Sequence, residues 1–260
     1  MLRRFAPVML LVLALIAACQ STPGITNPVD IISQGLQATA NLKSLHVSVK
    51  LDGTFSAPNG GGSFNLDSTS LKADVDIAAK NLRASLAVPA FLGLTADVIV
   101  IGQDIWYRTS LAGTKWFHQT NDLMASPLPI PTASLDTKAM IDKVKEALAT
   151  KGVVTKKLED VACGDRQCYQ VSISVPSALM KDAGAVASLD PSSVFGDALV
   201  INLLFDREKL WLTEVSTSID SAKVGTIKAT VSFSNFDEPV DFSAPPSPDV
   251  TEGEFTLPGM

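Results

Sequence analysis

The sequence predicts an α+β protein built on one large antiparallel sheet, and three observations carry that prediction. From Leu45 onward apolar and polar residues alternate with a period of two in one short segment after another, as half-buried strands do. These segments follow each other through brief turn-rich breaks without helical crossovers, which argues against parallel strands. Helical periodicity is confined to an opening segment, a mid-chain segment and one apolar insertion, enough to cover one face of such a sheet.

In chain order, Arg3 and Arg4 precede an apolar run, 5–16, that is too short for the roughly 20 residues of a membrane span and contains Pro7. Residues 1–18 are therefore expected to be an export signal. Ile16-Ala17-Ala18-Cys19 resembles the bacterial lipobox, which implies cleavage before Cys19 and a diacylglycerol, with further palmitate-type acylation, on that residue. Residues 19–28, rich in Ser, Thr, Pro and Gly, read as a flexible tether. A single domain is expected over 29–244 and a Pro-rich flexible tail over 245–260.

Within the domain, Ile31, Ile32, Gly35, Leu36 and Thr39 recur at helical spacing, predicting a helix over 30–42 capped by Asn27 or Asp30. Val47, Val49, Leu51 and Phe55 begin the strand pattern, and a Pro-Asn-Gly-Gly-Gly turn at 58–62 ends the first strand. Strands are then expected at 63–67, 71–77, 81–88, 94–101, 105–110 and 114–119. The run Ser126-Pro127-Leu128-Pro129-Ile130-Pro131 cannot continue a ladder. After it, Ala139, Met140, Val144, Ala147 and Leu148 define the apolar face of a helix that Asp136 could cap. Strands return at 153–161, 168–175, 198–205, 209–219 and 226–233. An apolar insertion at 176–197, one or two short helices, separates the second of these from the third. Val240 to Phe242 is expected to lie strand-like against the sheet.

Three cysteines divide readily. With Cys19 assigned to lipid, Cys163 and Cys168 flank Gly-Asp-Arg-Gln in a hairpin loop and are expected to form a disulfide, as an even pair in an exported chain does. A two-thiol metal site would lack half its ligands, so no metal is expected.

Removal of Arg3 and Arg4 leaves 19 basic against 27 acidic side chains, a net charge of −8, and no basic run occurs, so nucleic acid is not an expected partner. Catalytic motifs are also missing. The sequence has only His46 and His118, no Gly-x-Ser-x-Gly elbow, no His-Glu-x-x-His helix and no phosphate loop. Asp97 and Asp104 flank an apolar strand, but a turn position gives Asp104 a solvated role. Trp106, Tyr107, Trp116 and Trp211 stand at strand spacing and fit core or rim packing better than sugar stacking. The chain is expected to be no enzyme and to need no cofactor.

The order of elements resembles the LppX/LprG family of mycobacterial lipoproteins, similar in fold to the lipoprotein carrier LolA. The residues that carry it are the lipobox at Cys19, the 30–42 helix leading into Leu45-His46-Val47, the Ile105-Trp106-Tyr107 strand, and Asn235-Phe236-Asp237-Glu238-Pro239-Val240. The resemblance implies a half-open antiparallel β-barrel whose concave face is covered by helices, with an apolar cavity for acyl chains. It also implies a monomeric, extracytoplasmic protein, anchored to the cell membrane, that carries or presents lipids or glycolipids. A transporter or another lipoprotein of the envelope is a possible partner.

Lining positions expected from the alternation are Leu86, Val88, Val98, Val100, Met140, Val144, Leu148, Val171, Ile173, Ile201, Leu203 and Leu212. Leu179, Met180, Val186 and Leu189 of the insertion are the candidate lid. The alternative expectation is a non-enzymatic structural or protein-interaction module in which these same side chains form a solid core.

Overall fold

Asn27 and Pro28 set where the folded chain begins. The computed structural model describes residues 24–56, 62–120, 137–180 and 190–253. Its first helix, α1 (Pro28–Ala40), starts two residues before the sequence expectation because Asn27 is the cap: its side chain accepts from the Val29 N–H at 2.9 Å. Proline at the first helical position gives up no helical hydrogen bond. The signal, tether residues 19–23, the 58–61 turn residues, the proline run and Asp136 lie outside the described residues, while Pro28, expected to end the tether, already belongs to α1.

Fourteen strands follow among the described residues: β1 (Ser44–Ser56), β2 (Ser63–Asn65), β3 (Thr69–Asp76), β4 (Asn81–Val88), β5 (Leu94–Ile101), β6 (Asp104–Thr109), β7 (Trp116–Thr120), β8 (Val154–Lys157), β9 (Val161–Cys163), β10 (Arg166–Pro176), β11 (Ala198–Asp206), β12 (Leu212–Ser221), β13 (Gly225–Ser234) and β14 (Val250–Glu252). They form one sheet in the order β14-β7-β6-β5-β4-β3-β1-β13-β12-β11-β10-β8, with β2 on β1 and β9 on β10. Ladders are antiparallel except the parallel β14–β7 pair, and the ends do not join. This is the half-open barrel expected from the sequence.

β1 is the seam between its two halves, pairing with β3 on one side and β13 on the other. Glycine makes its far end possible. Gly53 has φ +106°, and a Cβ there would stand 2.1 Å from the Thr226 carbonyl oxygen, so only glycine lets β13 approach as β1 passes over to β2.

Helices occupy one face of the sheet. Ile31 and Ile32 of α1 are buried against Tyr169, Val171, Leu203, Phe205 and Leu212 of β10 to β12, forming the main core. Leu212 reaches it through a bulge between Leu204 and Phe205, which shifts the register so that Leu212 stands opposite Phe205. The second helix, α2 (Thr137–Ala149), packs on α1 and sends Val144 and Leu148 to the same core. A 3-10 turn at Ser177–Met180 and the short α3 (Pro191–Phe195) close over the ends of β10, β11 and β12.

Two stretches differ from expectation near the C-terminus. Residues 240–242 form no strand, because the prolines at 239, 245 and 246 remove donors around them. Within 245–260, expected as a loose tail, β14 instead pairs with the edge of β7, where three residues suffice to satisfy an open ladder.

Candidate functional site

Strand register identifies which side chains share the helix-bearing face. One unbroken row runs Val171, Leu203, Val215, Val231, Val49, Leu71, Leu86 and Ala96 across eight strands. A second runs Phe233, Val47, Ala73, Ala84, Val98, Tyr107 and Phe117. Both rows are apolar from end to end, but their two halves meet different neighbours.

At the β10–β12 end the row is sealed. Val171 is fully buried, Leu203 and Leu212 nearly so, and Ile173 and Ile201 pack against the same cluster under α1. At the β1–β7 end the row is half-buried: Val49, Leu71, Leu86, Val88, Val98, Tyr107 and Phe117 all keep part of their surface accessible, while Val100 is buried. The packing of α1 and α3 is carried by β8 and β10–β12, and α2 rests on α1, which leaves the β3–β7 part of the face without comparable helix contact among the described residues. Tyr107 and Phe117 stack there with ring centroids 5.6 Å apart.

The twelve candidate lining residues thus fall into two settings. Leu86, Val88, Val98 and Val100 share the open half, and Val171, Ile173, Ile201, Leu203, Leu212, Val144 and Leu148 belong to the packed half. Met140's side chain lies outside the described residues. Of the candidate lid, Leu179 is exposed and Met180 half-buried on the 3-10 turn, while Val186 and Leu189 fall outside the described residues. Val49, Leu71, Tyr107 and Phe117, not among the lining candidates, come onto the open face by parity with Leu86 and Val98, a signal readable only once the register is fixed.

Cys163 and Cys168 are bonded across the β9–β10 hairpin, with Cα atoms 5.9 Å apart. On the opposite face of the sheet, this hairpin, Trp211 and Phe236 border a cleft of about 580 Å³. Trp211 lies against Phe236 at 4.8 Å, and Arg166 bonds the buried Asp206 at 3.2 Å.

The polar groups singled out by sequence are tied to one another. Asp97 accepts from Arg108 and Ser85, at 2.7 and 2.6 Å, and Arg108 lies over the Trp116 ring. His46 pairs with Asp74 at 2.7 Å. Asp104, read from sequence as a solvated turn residue, keeps much of its side chain exposed and also bonds His118 Nε2 at 2.9 Å, while Glu252 of β14 meets Nδ1 at 2.8 Å. The hydrogen bonds to Asp104 and then Glu252 raise the His118 pKa above its ordinary 6.5. With both ring nitrogens engaged and Trp106 stacked on the ring at 4.9 Å, His118 has no nitrogen left for a metal or a substrate proton. No group of three His, Cys, Asp or Glu side chains suited to a metal occurs among the described residues, and no described helix is long and apolar enough to cross a membrane.

No protein-family model and no curated protein matches the sequence. Solved structures do. LprF from Mycobacterium bovis is 17% identical, with a TM-score of 0.50 over 85% of this chain and 99% of that one. The lipoprotein LppX of Mycobacterium tuberculosis is also 17% identical, with a TM-score of 0.48 over 83% and 97%. The chain's structural neighbours thus include mycobacterial lipoproteins of the LppX/LprG type, and what the likeness to LprF shows is a shared fold, the half-open antiparallel β-barrel with helices on its concave face.

Proposed function

We propose that this chain is a lipid-binding lipoprotein of the cell envelope, which takes an acyl chain against the open half of its concave face and carries or presents it. The observation that carries the reading is the division of one continuous apolar face into a half sealed by α1 and a half, on β1 and β3–β7, that keeps accessible Val, Leu, Tyr and Phe surface. An acyl chain laid there gains about 0.8 kcal/mol per methylene removed from water, and no covalent chemistry is needed. Cys19, as the lipidated first residue of the mature chain, would hold the domain beside its cargo.

The test uses residues 20–260, which contain every described element. Native mass spectrometry and uptake of a fluorescent fatty acid should both report bound lipid. Val98→Trp, on the open half, should lower uptake several-fold with little change in Tm. Val171→Trp, inside the sealed core, should instead cost about 1–3 kcal/mol through overpacking. A wild-type protein that purifies without lipid and refuses the fatty acid overturns the proposal and favours a solid interaction module. Val98→Trp that unfolds the chain while leaving no lipid signal to lose does the same.

A further inference from the structure

Of the large apolar side chains the sheet leaves exposed, Phe91, Leu92, Leu111, Val154, Leu179 and Val200 stand at one end of it. The register fixes this: Val88 opposite Leu94 and Ala96 opposite Thr109 put turns 89–93 and 110–115 side by side. Ser174 opposite both Val154 and Val200 brings the other three to the same end of β8, β10 and β11.

The two turns are unusual in chemistry. Pro89-Ala90-Phe91-Leu92-Gly93 and Ser110-Leu111-Ala112-Gly113-Thr114-Lys115 hold no carboxylate and one cation, in a chain of net charge −6. Leu92 is 99% exposed and Leu111 63%. Leu92 also has φ +54°, a conformation that favours glycine or asparagine, so turn geometry does not account for a leucine at this apex. Phe91, its neighbour, stacks on Phe64 of β2 at 5.6 Å.

We propose that this rim dips into a lipid bilayer, placing the open apolar face at the membrane surface; the inference deepens the lipid-binding reading and rests on it. Backbone satisfaction makes entry feasible. In the first turn the N–H groups of Phe91, Gly93 and Leu94 donate to Val88, Pro89 and Phe91 carbonyls, and in the second Ala112 donates to Thr109. These amides can leave water without losing a partner. Just behind the second turn the chemistry changes to that of a headgroup layer: a groove of about 320 Å³ lined by Thr95, Ser110, Thr114 and the Arg108–Asp97 ion pair, with Trp116 beneath Arg108. Val88 and Leu94 continue inward from the first turn to the open half of the face.

Residues 20–260, which lack the acylated cysteine, are mixed with vesicles of equal phosphatidylcholine and phosphatidylglycerol and sedimented. The wild type should pellet with the vesicles and remain bound at high salt. Leu92→Asp with Leu111→Asp should weaken binding about tenfold or more, since two apolar side chains no longer enter the bilayer. Leu92→Asn, which suits the left-handed position, should weaken it on a chain at least as stable as the wild type. Wild-type protein that stays in the supernatant, or variants that pellet equally well, overturn the proposal. So does a dimer that the same variants dissociate while vesicles are ignored, because the rim would then join two copies. Val98→Trp separates this from the lipid-uptake reading: it should pellet normally while losing uptake. Normal uptake with no vesicle binding leaves the lipid-binding reading standing and removes the rim.

Discussion

His118 holds two carboxylates at once, and an imidazole can donate to both only as the imidazolium. Its folded pKa is raised, so the stabilisation it gives is complete below the unfolded value of about 6.5 and is lost as pH rises through the folded one. Glu252 belongs to β14, so the attachment of that strand to β7 should weaken on the alkaline side. Ring-proton titration should place the His118 pKa above 6.5, and His118→Phe, which keeps an aromatic ring against Trp106, should remove that part of the pH dependence of stability. A wild-type profile unchanged by this substitution would contradict the assignment. Thr69 presents the opposite case, a buried hydroxyl with no hydrogen-bond partner among the described residues. Thr69→Val should therefore be neutral or stabilising by up to about 1 kcal/mol in chemical denaturation, whereas most buried polar-to-apolar changes lose a bond.

At the scale of elements, Gly35 determines how closely α1 can lie on the sheet. A Cβ there would fall 2.3 Å from the Phe205 ring, and that ring is fully buried with no room to retreat. Gly35→Ala, which usually strengthens a helix, should here lower stability by about 1–3 kcal/mol, visible as a fall in Tm. Most elements were legible because periodicity and punctuation agree. The helical spacing of Ile31, Ile32, Gly35 and Leu36 announced α1, the alternations announced β3 to β7 and β10 to β13, and Gly164-Asp165 announced the disulfide hairpin. Three things were not legible. β14 is three residues long and pairs with a strand 134 residues earlier, so no local pattern marks it. Leu212 is out of phase with Val215, and only the bulge explains why both serve the core. The bonding of Asp104 was hidden because its partner His118, which also holds Glu252, arrives from another strand.

For the whole molecule, the two lipid contacts proposed here sit at different ends. Ile25, within the expected tether, donates its N–H to the Tyr169 hydroxyl near the Asp206 turn, whereas the apolar turns lie at the far end of the strands. A domain some ten residues of strand in length, about 30 Å, separates them. The anchor and the rim would thus meet membrane at separate points of the protein, and the vesicle assay on unacylated protein reads the rim alone.

The sequence by itself determined that this chain makes a one-sided antiparallel sheet with apolar cover helices, because side-chain alternation, caps and turns are local properties of consecutive residues. It also marked Cys19 and the Cys163–Cys168 pair. Only the tertiary structure decided which part of the apolar face is sealed and which stays accessible. Val171 and Leu86 look alike in sequence, both apolar, both on alternating strands, both inward. One lies under α1 and is sealed; the other lies across the β1 seam, beyond the helix's reach, and keeps accessible surface. Which apolar residues become core and which remain a surface for a guest depends on where a helix crosses a sheet, a distance in space that no spacing along the chain records.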